Sequence, residues 1–152
     1  MLKKLIASSL LASSLIMTGC QTTPPPSDTI EMANIQQLQQ RTWILTQMGN
    51  TEIKTAPNER NIPSLQFSAD NRISGADGCN RIMGSYIVGR DTLTLSQLAT
   101  TRMACINNSA VPQQFQEALA KVTHYQVFGK TLKLLDRHGN LLLQFGSAIQ
   151  PR

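Results

Sequence analysis

The sequence is poor in the features that mark many catalytic, nucleic-acid-binding and membrane-spanning proteins. Aromatic residues make up only 5% of its 152 residues, too few for a surface on which single-stranded nucleic acid stacks. No apolar run reaches the roughly 18 residues that a transmembrane helix needs. No GxGxxG, Walker or GxSxG pattern is present, and the chain is too short for a two-domain cofactor enzyme. These absences favour one small domain without a cofactor or a catalytic set.

The N-terminal segment has the organisation of a secretory signal. Lys3 and Lys4 precede a stretch rich in apolar residues, Ser and Ala, from Leu5 to Met17, which has the length of a signal-peptide core. The following Thr-Gly-Cys resembles the bacterial lipobox, in which the cysteine is lipidated and cleavage occurs before it. Met17 stands where that motif usually has Leu, Val or Ile. We therefore predict a signal peptide over residues 1–19 and lipidation of Cys20; the alternative is an ordinary secretory signal with an incidental cysteine.

Lipidation at Cys20 predicts a membrane-anchored protein. Several acyl chains, palmitate among them, would hold the chain stably on a bilayer. Gln21 follows the cysteine, whereas Asp is the usual signal for retention at the inner membrane, so we predict the periplasmic face of the outer membrane. Loss of Lys3 and Lys4 would leave 12 of the 14 basic residues against 9 acidic ones, a net charge of +3. Those basic residues are scattered, so no nucleic-acid footprint is expected.

The mature chain divides into a linker, a domain and a tail. Residues 20–40 are rich in Pro and Gln, and three consecutive prolines favour an extended spacer. Within them, Met32 to Gln40 is interpreted either as a short helix or as a disordered tail. The folded domain is predicted over residues 41–146, and residues 147–152 form a C-terminal tail.

The domain shows mostly the two-residue alternation of half-buried strands. Predicted strands cover residues 41–48, 64–69, 72–75, 82–88, 92–95, 123–128, 131–135 and 141–145. One helix is predicted from the apolar stripe Val111, Phe115, Ala118, Leu119 and Val122, with Asn108 or Ser109 as its cap. The expected fold is α+β and mainly antiparallel β, a small curled sheet or partly open barrel with one helix.

Three stretches together resemble a known family. They are 65–75 (LQFSADNRISG), 78–86 with its GCNR and GSY motifs, and 98–105 (LATTRMAC), and Trp43 precedes them. With these motifs the chain resembles the META domain family, which includes the HslJ-type heat-shock lipoproteins. The resemblance implies a partly open, distantly lipocalin-like barrel with a helix, an envelope location and a link to stress. It does not imply an enzyme.

Two cysteines remain once Cys20 is lipidated. An even pair in an oxidising compartment predicts a disulfide between Cys79 and Cys105, worth about 3–4 kcal/mol by the loop-entropy model. The alternatives are two buried free thiols and, with least support, a redox or metal pair. The sequence has no CxxC motif and no His near these cysteines, so no metal site is predicted.

Arg81 and Arg102 lie within the family motifs. Two such arginines could bind a carboxylate or phosphate in bidentate fashion. The interpretation we favour is structural, in which they pair with Asp70, with Asp77 or with carbonyl groups at the end of the sheet.

The other motif residues are given structural roles. Asn80 is expected to brace a turn, and Met83 and Met103 are expected to fill the core. His124 and His138 have no carboxylate at a motif spacing, so no catalytic residue is predicted.

The predicted function is that of a non-catalytic envelope lipoprotein, which binds an envelope protein or supports the envelope under stress. Its expected site is an exposed apolar groove beside the helix. A periplasmic inhibitor or chaperone would use the same kind of surface. The alternative is a lipocalin-like carrier of a small apolar ligand or lipid. We rank the carrier lower, because Leu and Phe side chains are numerous enough to fill a small barrel. They are Phe67, Leu93, Leu95, Phe115, Leu132, Leu134, Leu141 and Leu143.

Overall fold

Eleven regular elements make up the described part of the chain. The computed structural model describes residues 19, 23–24, 26–39, 41–55, 61–105 and 109–147. The predicted lipidation site Cys20, nearly all of the predicted signal peptide and residues 148–152 of the tail lie outside these residues. The elements are α1 (Ser27–Gln39), β1 (Thr42–Met48), β2 (Thr51–Glu52), β3 (Ser64–Phe67), β4 (Arg72–Ala76), β5 (Arg81–Val88), β6 (Leu93–Thr100), α2 (Val111–Leu119), β7 (His124–Phe128), β8 (Thr131–Leu135) and β9 (Leu141–Ser147).

The strands form one antiparallel sheet that curls into a half-barrel. Its order is β6-β5-β4-β3-β1-β9-β8-β7, and β2 pairs with β1 beside this path. The two outer strands approach each other at one point, where Thr92 bridges His124 and the Leu93 N–H donates to the Thr123 carbonyl at 3.0 Å. The predicted fold, mainly antiparallel with a partly open barrel, is therefore confirmed.

The antiparallel order places successive connections at alternate ends of the half-barrel. The turns after β3, β5 and β7 share one end with α1, whose Asn34 Nδ2 donates to the Arg90 carbonyl at 3.3 Å. The connections after β4 and β6 share the opposite end with α2, which crosses from the finish of β6 to the start of β7. We call these the α1 end and the α2 end.

The core lies inside the curl and is filled by large side chains. Alternate residues of the strands point inward, as the period of two predicts. Phe67 packs edge-on against Tyr86, with ring centroids 5.1 Å apart, and Phe115 of α2 packs edge-on against Phe145 at 6.1 Å. Of the eight residues predicted to fill the barrel, six are buried, and Leu95 and Leu141 are half-buried at its margin. The fully buried large side chains include Trp43, Phe67, Ile82, Tyr86, Leu93, Phe115, Tyr125 and Phe145.

A second helix, α1, occupies much of the predicted linker, so of the two interpretations of residues 32–40 the structure has the helix rather than the disordered tail. It begins at Ser27, next to the prolines, and its only buried residue is Leu38. The Leu38 carbonyl accepts a hydrogen bond from Trp43 Nε1 at 2.9 Å. A helix that is fixed by one buried side chain near its C-terminus has no full apolar stripe, so the sequence left residues 32–40 open between a helix and a tail and did not reveal the start at Ser27.

The predicted helix α2 is confirmed, but its cap differs from the prediction. Phe115 and Leu119 are buried. Ala110 occupies the N-cap position and makes no side-chain cap hydrogen bond, and Ser109 Oγ accepts from the Val111 N–H at 3.2 Å. Asn108, the other predicted cap, lies outside the described residues. Of the helices in the described ranges, neither is long and apolar enough to cross a membrane.

The two tyrosines predict a loss of stability at alkaline pH. The Tyr125 hydroxyl donates to the Gly89 carbonyl at 3.0 Å, and burial, aided by Glu31 and Asp91, raises the pKa of Tyr125 from 10.0 to about 12. Burial also raises the pKa of Tyr86. Below pH 10, the ordinary pKa of tyrosine, the stability that this pKa difference contributes to the folded chain is fully present. This stability is lost as the pH rises from 10 through the folded pKa, because in that range the unfolded chain loses its tyrosine protons before the folded chain does.

An alkaline titration followed by the ultraviolet absorbance of tyrosinate checks this expectation. The folded chain should titrate later than the chain in urea, and Tyr125→Phe should reduce the difference. Identical titration curves in buffer and in urea would contradict it.

Candidate functional site

The motif between β4 and β5 is built around a buried carboxylate. Asp77 has an exposed fraction of 0%. Its Oδ1 accepts from the backbone N–H groups of Cys79 at 2.9 Å and Asn80 at 2.6 Å. Its Oδ2 accepts from Asn80 Nδ2 at 3.3 Å and from Gln116 Nε2 of α2 at 2.5 Å. Four hydrogen bonds thus compensate the cost of burying the charge.

The local sequence explains why the chain turns here. The Asp77 N–H donates to the Asn80 carbonyl at 3.0 Å, while the Asp77 carboxylate holds the next amides in the manner typical of Asp in turns. Gly78 has φ +103°, a conformation that side chains with a Cβ rarely adopt. A Cβ at this position would also contact the Pro63 ring at 3.4 Å and the Pro112 ring at 4.0 Å. These contacts are ordinary, so the positive φ rather than a lack of space is what favours glycine at this position.

The same motif holds the segment 101–105 in place. Asn80 Oδ1 accepts from the Met103 N–H at 2.8 Å, so Asn80 braces two chain segments rather than its own turn alone. Thr101 Oγ1 accepts from the Arg81 N–H at 2.9 Å. A disulfide joins Cys79 to Cys105, with their Cα atoms 5.7 Å apart, so of the alternatives for this pair the structure has the disulfide. We call Asp77, Cys79, Asn80, Cys105 and Gln116 the clip.

The two arginines of the motifs take no part in the clip. Arg81 and Arg102 are exposed, and neither side chain makes a hydrogen bond or ion pair with another described residue. The favoured prediction paired them with Asp70, Asp77 or carbonyls at the sheet end. Asp77 is instead occupied by amide donors. Asp70 lies at the α1 end, where its Oδ1 accepts from the Arg72 N–H at 3.4 Å.

The two methionines near the clip lie on the surface, so their prediction as core residues is wrong. Met83 and Met103 have exposed fractions of 60% and 58%. Ile82 and Tyr86 of β5 point inward, so the alternation already places Met83 on the outer side of the sheet. Met103 follows the end of β6 and is fixed through its backbone rather than by packing of its side chain.

A surface pocket of about 510 Å³ lies beside the clip. The disulfide, Met103 and the first residues of α2 form part of its wall. Ile53, Lys54 and Pro63 lie on other parts of the wall. The expected apolar groove beside the helix thus corresponds to a pocket of mixed character at the start of α2. Among its described lining residues, Lys54 alone carries an ionisable side chain.

A second pocket, of about 320 Å³, contains both histidines. His124 and His138 line it with Asp91. Arg137 Nε donates to His138 Nε2 at 3.0 Å, and His124 Nδ1 lies 2.9 Å from Thr123 Oγ1. Within the described ranges, no group of three or more His, Cys, Asp or Glu side chains is placed to hold a metal ion.

Comparison with known proteins gives one family and three related folds. The META domain family model matches residues 36–149. A protein solved by NMR has 25% identity and a TM-score of 0.58, over 73% of this chain and 92% of its own. A protein from Burkholderia xenovorans, also solved by NMR, has 22% identity and a TM-score of 0.58, over 98% and 100% of the two chains.

A crystal structure of a DUF4847 family protein from Bacteroides vulgatus has 18% identity and a TM-score of 0.54, over 75% of this chain and 96% of its own. The likeness to the Burkholderia and Bacteroides proteins concerns the fold alone. No curated protein matches the chain.

Proposed function

Because the chain belongs to the META domain family, we propose that it is a non-catalytic lipoprotein of the bacterial envelope that binds a protein partner at its α2 end. The clip is the observation that carries this proposal. Its buried carboxylate, its amides and its disulfide hold the exposed segment 101–105 beside a pocket of about 510 Å³. A surface segment that is already ordered loses less conformational entropy when a partner binds.

The chemistry of the motif supports binding rather than catalysis. A general base must reach a substrate with a free lone pair, whereas both oxygens of Asp77 accept hydrogen bonds inside the protein. At the second pocket, His138 Nε2 already accepts from Arg137. These polar groups are occupied in maintaining the structure.

The predicted lipid anchor would place the α1 end near the membrane and the α2 end away from it. Seven positions separate Cys20 from Ser27, the first residue of α1, and that length of chain spans at most about 25 Å. The anchor would therefore keep the α1 end near the membrane. Strand β5 runs from the clip towards the α1 end and has 8 residues. A strand of this length is about 26 Å long. The α2 end would then face the periplasm, where a protein partner can reach it.

The packing of the interior favours this proposal over the carrier alternative. A carrier needs an internal cavity, as lipocalins have. Here Trp43, Phe67, Phe115 and Phe145 each have an exposed fraction of 0% and point into the space that a ligand would need. Their packing supports a binding site on the surface.

Photo-crosslinking in living cells tests the proposal. The photoreactive residue p-benzoylphenylalanine replaces Met103 in one strain and Ile87 in the other. Ile87 is a matched control, because it is an exposed apolar residue near the opposite end of β5, with an exposed fraction of 72%. We expect a discrete covalent product from position 103 and none from position 87.

Cell fractionation tests the lipid anchor in the same strains, because it shows whether the protein is in the membrane fraction or in the soluble periplasm. Cys20→Ala should move the protein from the membrane fraction to the soluble periplasm. Absence of a product at position 103, or equal products at both positions, would contradict binding at the α2 end. Retention of the Cys20→Ala chain in the membrane fraction would contradict the lipid anchor.

A further inference from the structure

The surface around the clip carries positive charge that no carboxylate of the described residues pairs with. Strands β4, β5 and β6 and the segment 101–105 contain three arginines, Arg72, Arg81 and Arg102, and no acidic residue. Arg81 and Arg102 are the two nearest the clip. The closest carboxylate along the chain, that of Asp77, is buried and already accepts four hydrogen bonds. Its oxygens are therefore engaged within the clip and form no ion pair with the arginines.

Strand pairing places the exposed methionines beside these arginines. Met83 lies opposite Ala99 across β5 and β6. Two residues before Met83, at the start of β5, Arg81 is paired with Thr101 through two hydrogen bonds of 2.9 and 3.0 Å. Met103 follows beside Asn80. Met83 and Arg81 thus lie on the outer side of the sheet, and the exposed residues Arg102 and Met103 follow Thr101 at the α2 end.

This combination of arginines and methionines is suited to a ligand that carries both carboxylates and apolar side chains. The guanidinium group binds a carboxylate in bidentate fashion and is more weakly hydrated than an ammonium group. Methionine is flexible and polarisable, so it adapts to apolar side chains of different shapes. Charge complementarity at such a surface sets specificity and accelerates association.

We propose that Arg81 and Arg102 bind carboxylates of an acidic segment of the protein partner, and that Met83 and Met103 contact the apolar side chains between those carboxylates. The inference rests on the proposed function and specifies the chemistry of the partner. An anionic membrane is disfavoured, because this outer surface carries methionines and no aromatic residue at its exposed positions, whereas Trp and Tyr are typical of membrane interfaces. The predicted anchor also lies at the other end.

The test measures binding of defined peptides to the full-length chain in detergent by fluorescence anisotropy. One labelled peptide has leucine and methionine side chains between glutamates, and its control has glutamine in place of each glutamate. The variant is Arg81→Glu/Arg102→Glu. A matched control is Arg72→Glu/Arg90→Glu, which reverses two exposed arginines nearer the α1 end.

We expect the glutamate peptide to bind the unaltered chain more tightly than the glutamine peptide does, and to bind less tightly as salt is added. Arg81→Glu/Arg102→Glu should weaken its binding by about tenfold or more, and Arg72→Glu/Arg90→Glu should change it by less than about twofold. Arg81→Lys/Arg102→Lys should keep part of the affinity, because charge is retained while bidentate geometry is lost.

Three outcomes would overturn the inference. They are no binding of the glutamate peptide, equal binding of the two peptides, and equal losses in the two charge-reversed variants. Binding of vesicles of phosphatidylethanolamine and phosphatidylglycerol that depends on Arg81 and Arg102, in the absence of peptide binding, would assign the surface to the membrane instead. A discrete crosslink at position 103 together with any of these outcomes would leave the proposed function standing and remove only the acidic partner.

Discussion

Asp77→Ala is expected to lower the free energy of unfolding by about 3–4 kcal/mol, because it leaves several partly buried donors without an acceptor. The substitution removes both acceptor oxygens from the amides of Cys79 and Asn80 and from Gln116 Nε2. Two of these donors belong to the turn and the third to α2, so the helix loses its polar attachment to the sheet. Urea denaturation followed by the fluorescence of Trp43, the single tryptophan, measures the change.

Asp70→Ala is the matched control for this prediction. Asp70 also accepts a backbone N–H in a turn, that of Arg72 at 3.4 Å, but it is exposed to solvent. Its loss should change the free energy of unfolding by about 0.5 kcal/mol or less. If Asp77→Ala were no more destabilising than Asp70→Ala, the structural role given to the buried carboxylate would be wrong.

The second large effect is expected from Cys79→Ala/Cys105→Ala, which removes the disulfide. The two cysteines are 26 residues apart, and the loop-entropy model gives a loss of about 3.5 kcal/mol for a loop of this length. The same denaturation experiment with and without a thiol reductant separates the disulfide from side-chain packing. Reductant should destabilise the unaltered chain and leave the variant unchanged. Two free thiols per folded chain, or equal sensitivity of both proteins to reductant, would contradict the prediction.

The strands and α2 were predictable because each carries its own repeating pattern. Trp43 and Leu45 alternate with half-buried neighbours along β1, and Phe115 and Leu119 lie one turn apart on α2. These patterns depend on neighbours close in sequence, so one sequence is enough to reveal them. Helix α1 has a weaker pattern, because Leu38 alone is buried in it, and residues 32–40 could therefore be interpreted either as a helix or as a disordered tail.

The candidate site was predictable only in part. The cysteine count predicted the Cys79–Cys105 pair, and the motif pointed to Asn80. The role of Asp77 depends on Gln116, which lies 39 residues further along the chain, and no local pattern connects these two residues. Asp77 lies only four residues before Arg81, and this proximity suggested an ion pair. The backbone amides of its own turn are nearer donors, and they are already in place once the turn forms.

The residues in and beside the family motifs therefore form two groups, one structural and one exposed. Asp77, which precedes the GCNR motif, and the motif residues Cys79, Asn80 and Cys105 fix the chain, while Arg81 and Arg102 are exposed. This division of roles explains how one region contributes both to stability and to the proposed binding.

This division of roles is tested by comparing the free energy of unfolding of Arg81→Glu/Arg102→Glu with that of Asp77→Ala. We predict that the arginine variant stays within about 0.5 kcal/mol of the unaltered chain, as exposed positions without structural partners do. Asp77→Ala should lose about 3–4 kcal/mol in the same experiment. A comparable loss in the two variants would show that the arginines belong to the structural core of the motif and would contradict this division of roles.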